Sequence, residues 1–291
     1  MIKGSSSVSG HLCIVGLGLI GGSLAAALKA ADASLEISAL VRSEKTGELG
    51  LQLGLIDRYS LDAGQLIPWA DMIMLAVPML SMRRQLEMIR EYANEEAVIT
   101  DAGSVKQPFI EDARSVFGSL ERIVPGHPIA GSERTGVIAA DASLFKDRRV
   151  LLTPVEETSP AAVAEVTQLW ELAGAEVESL TPEHHDRVLA ATSHLPHVMA
   201  FALVDTLATQ QEVEEIFRYA AGGFRDFSRI ASSDAIMWRD ICLTNKEPLL
   251  RMIDSMDEHI KVVRQAIEAG DAELLESTFT RAKNARDRYA Q

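Results

Sequence analysis

Over the first 180 residues, short apolar runs alternate with amphipathic stretches. Residues 11–16, 35–41, 72–77, 97–100, 123–124 and 150–153 read as strands. They are apolar without alternation, as strands covered on both faces are. Residues 19–30, 43–53, 81–92 and 105–117 read as helices between them. This order predicts a parallel sheet with helices on both faces. A helix over 160–173 and a strand over 175–180 close the pattern. After Thr181-Pro182, residues 183–209, 212–221, 234–244, 248–268 and 272–288 all read as helical, and no strand-like run remains. The expected organisation is a flexible polar end at 1–10, an α/β domain at 11–180 and an all-α domain at 181–291.

Composition narrows the function class. The chain has 291 residues, 47% hydrophobic and 24% charged, which describes a globular protein with a sizeable core. The net charge of −14 disfavours nucleic acid, because phosphate binding needs a basic surface. Cys13 and Cys242 lie far apart in apolar runs, which argues against a disulfide framework and for a reducing, cytoplasmic setting. The N-terminal residues lack the apolar core of a secretory signal. No stretch approaches 18 uninterrupted apolar residues, so no membrane crossing is expected.

The candidate chemistry begins at Gly16-Leu17-Gly18-Leu19-Ile20-Gly21, which follows a strand and opens a helix. That is the context of the Rossmann-type dinucleotide fingerprint. Gly16 permits the tight turn, Gly18 the approach of a pyrophosphate, and Gly21 close packing of helix on strand. Leu19, Ile20 and the Val77-Pro78 strand end are counted with the same cofactor site. An NAD site expects an acid at the end of the second strand, where this chain has Val41-Arg42-Ser43. An arginine and a hydroxyl suit a 2′-phosphate, so NADP is favoured over NAD. The competing reading is that Arg42 is a solvated helix-start residue and either cofactor binds.

Further along, Asp101-Ala102-Gly103-Ser104-Val105-Lys106 follows another strand. Ser104 either caps the next helix or touches nicotinamide or substrate. His127, between Gly126 and Pro128, sits on backbone that cannot be helical and reads as a proton-handling residue on a loop. His184-His185-Asp186 and Ser193-His194-Leu195-Pro196-His197 share a predicted helix, on which His194 and His197 are three apart. These are core histidines or, more pointedly, a substrate-facing His197; no metal is expected without a recognisable ligand motif. Gly222-Gly223 break the helical pattern ahead of Arg225-Asp226 and Arg229. Arg229 suits a carboxylate clamp oriented by Asp226, unless the segment is only a surface ion pair.

Taken together, residues 11–290 resemble the prephenate/arogenate dehydrogenase family of tyrosine biosynthesis. The likeness rests on GLGLIGGSLA at 16–25, DAGSVK at 101–106, GHPIAGSE at 126–133, HHD and SHLPH within 184–197, and GFRDFSR through MWRD at 223–240. It implies oxidative decarboxylation of a cyclohexadienol, with hydride passing to the nicotinamide. By motif, His127 corresponds to the histidine that draws off the ring hydroxyl proton, and Ser104 to a partner of that hydroxyl. Arg229 corresponds to the binder of a substrate carboxylate, with His197, Asp226, Trp238 and Glu133 in the surrounding pocket. The resemblance also implies a homodimer built by the helical domain. Two competitors are a β-hydroxyacid dehydrogenase, which needs a lysine that residues 183–209 lack, and a cofactor-sensing protein without turnover.

Overall fold

The computed structural model describes residues 10–132 and 134–289. Residues 1–9, most of the segment expected to be flexible, lie outside them, as does Glu133. The described chain up to Asn245 packs as one compact unit, and the chain from Lys246 as another.

The first unit opens with β1 (His11–Val15), α1 (Leu19–Ala31), β2 (Glu36–Leu40), α2 (Glu44–Gln52) and β3 (Arg58–Ser60). It continues through β4 (Met72–Leu75), α3 (Met82–Tyr92), β5 (Val98–Asp101), α4 (Gln107–Phe117) and β6 (Ile123–Val124). The six strands form one parallel sheet in the order β3-β2-β1-β4-β5-β6. β1, β4 and β5 are buried along their whole length, which is why they read as unbroken apolar runs. The edge strand β3 was not expected from the pattern; it has three residues and an exposed Arg58. The order reverses between β1 and β4, so the crevice for a ligand lies outside their carboxyl ends.

Residues 150–153 do not join that sheet as predicted. β7 (Gly126–Pro128), β8 (Arg149–Leu152) and, after α5 (Pro160–Leu172), β9 (Glu176–Ser179) form a second sheet. β7 and β8 run antiparallel, β8 and β9 parallel. Pro125 makes the change: it has no N–H to extend β6, and its carbonyl accepts from Thr153 N at 2.8 Å.

The predicted helix over 183–209 is α6 (Pro182–Leu189), a π-turn at Ala190–His194 and α7 (Leu195–Ala208). Pro196 has no N–H for the preceding turn, and the helix widens just before it. By length and mean hydropathy (1.3) this run is apolar enough to cross a bilayer. Its buried His185, Asp186 and His194 nevertheless bond to residues of the same unit. α8 (Val213–Arg218) and α9 (Gly222–Ser228) follow. The two glycines open α9 rather than break a helix, because Ala221 is extended and serves as the N-cap. A 3₁₀ turn at Arg229–Ser232 leads to α10 (Ala235–Thr244), whose N-cap Asp234 accepts from Met237 N. The second unit is α11 (Lys246–Ala269) and α12 (Ala272–Tyr289), joined at Gly270 with φ of 66°.

Candidate active site

The glycine turn has the shape of a pyrophosphate cradle. Gly16 has φ of 99°, and a Cβ there would meet Ala76 O at 2.5 Å and Val77 Cγ1 at 2.8 Å. Gly18 is the N-cap of α1, with no side-chain cap on that helix, and a Cβ on it would meet nothing within 4 Å. The first N–H groups of α1, those of Leu19, Ile20 and Gly21, thus face an open approach. A Cβ on Gly21 would strike Gly16 O, so the helix needs glycine to sit this close to β1. Val77 and Pro78 flank the cradle from the end of β4, with Val77 against Gly16. These residues fit a dinucleotide.

At the end of β2, Val41 is buried while Arg42 and Ser43 are exposed. Ser43 caps α2, its Oγ accepting from Thr46 N at 3.4 Å. Glu44, the nearby acid, accepts from the Tyr59 hydroxyl at 2.6 Å. Arg42 makes no hydrogen bond or ion pair among the described residues.

A buried polar cluster lies where the two sheets meet. Asp101 ends β5 and is fully buried with Lys106, whose Nζ donates to Asp101 Oδ2 and, at 2.6 Å, to Gly126 O. Asp101 Oδ1 accepts from Gly126 N at 3.1 Å, and Oδ2 from Gly103 N at 2.7 Å. Both ends of the Gly126 residue are therefore held by one ion pair. Burial pushes the Asp101 carboxyl up and the Lys106 ammonium down, and their mutual attraction opposes both shifts. The carboxylate accepts from three donors, which is the arrangement of the ionised form.

His127 follows Gly126 on β7. It is a buried strand residue, not the loop residue expected. Its Nδ1 is 2.9 Å from His185 Nε2, and His185 Nδ1 is 2.8 Å from Asp186 Oδ1. Burial holds His127 well below the usual histidine value, with His185, Lys106 and His194 adding to the effect. Burial lowers His185 too, opposed by the bond to Asp186. His127 Nε2 makes no hydrogen bond among the described residues and is not sealed from the surface. Asp186 also accepts from Lys106 N at 2.8 Å and Gln107 N at 2.9 Å, so it caps the start of α4 from another segment. This corrects the capping reading of Ser104. Ser104 lies before the Lys106 N-cap, half-buried, and its side chain makes no hydrogen bond among the described residues.

On the helical side, the His197 ring stacks on Trp238 with centroids 3.7 Å apart and planes at 19°. Arg229 is close enough to lower the His197 pKa, after burial. Trp238 is buried, and its Nε1 and His194 Nε2 have no partner among the described residues. Asn245 Nδ2 donates to His194 Nδ1 and to the Asp186 carbonyl, at 2.9 Å each. Asp240 of α10 accepts from Leu80 N at 3.3 Å, tying this wall to the turn after β4. Asp226 is exposed on α9 and does not orient Arg229, since it makes no hydrogen bond or ion pair among the described residues. Sequence reading missed the roles of Asp101, Lys106, His185 and Asp186. The signals were present as the ends of DAGSVK and as HHD, without an indication that they meet.

Two family models together cover most of the chain. The model of the prephenate dehydrogenase nucleotide-binding domain matches residues 24–179, and that of the prephenate dehydrogenase dimerization domain matches 181–281. The chain is 36% identical to a cyclohexadienyl dehydrogenase of Zymomonas mobilis, covering 95% of this chain and 94% of that one. It is 37% identical to a prephenate dehydrogenase of Bacillus subtilis, covering 95% and 75%. A crystal structure of prephenate dehydrogenase from A. aeolicus, in complex with hydroxyphenyl propionate and NAD+, superposes with a TM-score of 0.89. That pair is 36% identical over 97% of this chain and 99% of that one.

The buried histidines set a pH dependence of stability. Burial lowers His127, His185, His194 and His197, with His194 brought down to about 4. In the unfolded chain each takes a proton near about pH 6.5. Between that value and the folded ones the unfolded state binds more protons, so stability falls as pH drops. Thermal unfolding is expected to show a lower Tm at about pH 5.5 than at about pH 7.5. An equal or higher Tm at the acid pH contradicts the buried neutral histidines.

Proposed function

The chain belongs to the prephenate dehydrogenase family, and from that premise we propose how its residues divide the work. It is an NAD(P)-dependent oxidoreductase of tyrosine biosynthesis that oxidatively decarboxylates prephenate or arogenate. The product is 4-hydroxyphenylpyruvate or tyrosine, respectively. The ring becomes aromatic, which supplies the driving force, so the protein mainly positions and polarises. The nicotinamide supplies the hydride acceptor.

His127 accepts the ring hydroxyl proton on Nε2 as hydride leaves the same carbon. The opposite ring carbon then loses its carboxylate as carbon dioxide. The freed electron pair reaches the oxygen, and the proton returns to it as the phenol forms. The observation that carries this reading is the unpaired Nε2 of a buried histidine whose neighbour Gly126 is pinned to the end of β5. β5 lies beside β4 at the cofactor edge of the sheet. Ser104, whose hydroxyl makes no hydrogen bond among the described residues, bonds the ring hydroxyl from the turn after β5. Arg229, beside the His197–Trp238 stack, binds a substrate carboxylate. Asp226, exposed on α9, completes the pocket wall.

NADP is the preferred cofactor, because Arg42 is exposed at the end of β2 and Glu44 is engaged by Tyr59. The helical domain forms a homodimer. Exposed Met256, Ile260, Ile267 and Phe279 in the second unit supply apolar surface for it. A cytoplasmic setting suits the two free cysteines. The overall test is a two-by-two assay of prephenate or arogenate with NAD or NADP. Reduced nicotinamide is expected to accumulate with at least one substrate, faster with NADP; no turnover in all four combinations contradicts the function.

Three substitutions separate the roles. His127→Asn is expected to lower kcat by about 10²–10⁴-fold with a small change in KM, and an unchanged kcat removes the base role. Arg229→Ala removes a charge-assisted bond of about 1.5–3 kcal/mol and is expected to raise KM for the substrate. A fall in kcat alone contradicts that assignment. Arg42→Ala is expected to weaken NADP and spare NAD in direct binding; equal loss for both defeats the 2′-phosphate assignment.

A further inference from the structure

We infer that Asp186 and His185 are positioning residues that fix the proton of His127 on Nδ1 and so leave Nε2 as the base. The inference deepens the reading of His127 as the proton acceptor and rests on it. The hydrogen-bond partners carry it, taken in order from the carboxylate, together with the burial that keeps both rings neutral.

Asp186 presents two oxygens that already accept backbone N–H groups, Oδ1 from Lys106 and Oδ2 from Gln107. Facing such a carboxylate at 2.8 Å, His185 Nδ1 has to be the donor. A neutral imidazole carries one N–H, and burial keeps His185 neutral. His185 Nε2 is then bare. The contact of 2.9 Å to His127 Nδ1 is a hydrogen bond only if His127 donates. His127, also neutral, has spent its one N–H, and its Nε2 carries a lone pair. Every member of the chain is buried, so water does not compete for these bonds. The two rings meet edge to face at 64°, which suits a bond in the plane of one ring.

This arrangement does two things for the reaction. It selects the tautomer: with the proton on Nε2, His127 would present a donor to a hydroxyl that must lose a proton. It also opposes the cost of charge. When Nε2 takes the proton, an imidazolium forms in a buried site near the Lys106 ammonium. Its Nδ1–H stays bonded to His185, which Asp186 polarises from the far side. No proton needs to pass beyond His127, as in the serine-protease triad, where the aspartate orients and stabilises without being protonated.

The test has a static and a kinetic arm. In the full-length protein labelled with ¹⁵N-histidine, ring-nitrogen shifts report which nitrogen is protonated. His127→Asn and His185→Gln spectra assign the signals. The expected result is a proton on Nδ1 and a bare Nε2 for both His127 and His185. In the kinetic arm, His185→Leu deletes the acceptor and His185→Gln keeps one at the place of Nε2. His185→Leu is expected to lower kcat by about 10²-fold or more with cofactor Kd and substrate KM within about threefold, and His185→Gln to recover most of the loss. A wild-type His127 protonated on Nε2 overturns the inference, and so does a His185→Leu enzyme no slower than His185→Gln. The spectrum needs no turnover, so a wrong tautomer is distinguishable from failure of the base reading, which His127→Asn kinetics decide.

Discussion

The site depends on one buried ion pair. Lys106 and Asp101 are both fully inaccessible, and together they occupy the N–H and the carbonyl of Gly126. Taking two charges out of water costs several kcal/mol per ion, so the pair is not there for stability alone. Its effect is geometric. It fastens β7, the first strand of the small sheet, to the end of β5 in the large sheet, one residue before His127. The five residues between β5 and α4 carry Ser104, and Lys106 N at their end and Gln107 N at the start of α4 donate to Asp186. A single turn therefore contacts both the strand that carries His127 and the helix that carries His185 and Asp186.

This coupling explains the mixed character of the pocket. The cofactor side is made of backbone: glycines without side chains, an uncapped helix start and a proline-terminated strand end. The opposite wall, which we propose receives substrate, is made of side chains: a stacked His197–Trp238 pair, Arg229 of the 3₁₀ turn and the buried His194. His127 stands between them on neither the large sheet nor the helices. A short strand clamped at Gly126 gives it a fixed placement, which the proposed proton transfer needs because an error of about 1 Å can cost about a hundredfold.

What was legible in the sequence was what is local. The glycine fingerprint, the buried strands and the switch to helices at Thr181 each lie within a few consecutive residues, and each appears where expected. The exceptions are instructive. Pro125 diverts the chain into a second sheet, and the strand over 150–153 goes with it, because pairing partners are not encoded in a strand's own apolarity. His127 reads as a loop residue from its glycine and proline neighbours, yet pairs with Leu151 in a strand. His185 looks like packing because its hydrogen-bond partner is 58 residues away. Lys106 carries no role in the sequence reading, since nothing nearby shows that Asp101 and Gly126 enclose it. Ser104 illustrates the reverse case: a hydroxyl at a plausible capping position is left unused because Asp186 does that work from another helix.

The most direct test of the account is kcat of Lys106→Met, measured at a temperature where circular dichroism shows the variant folded. The variant keeps the stem of the side chain and removes the donor to Gly126 O and Asp101. The account predicts a kcat lowered by about tenfold or more, with cofactor affinity nearly unchanged, because His127 loses its fixed placement while the glycine cradle does not. A folded Lys106→Met enzyme with wild-type kcat would contradict it.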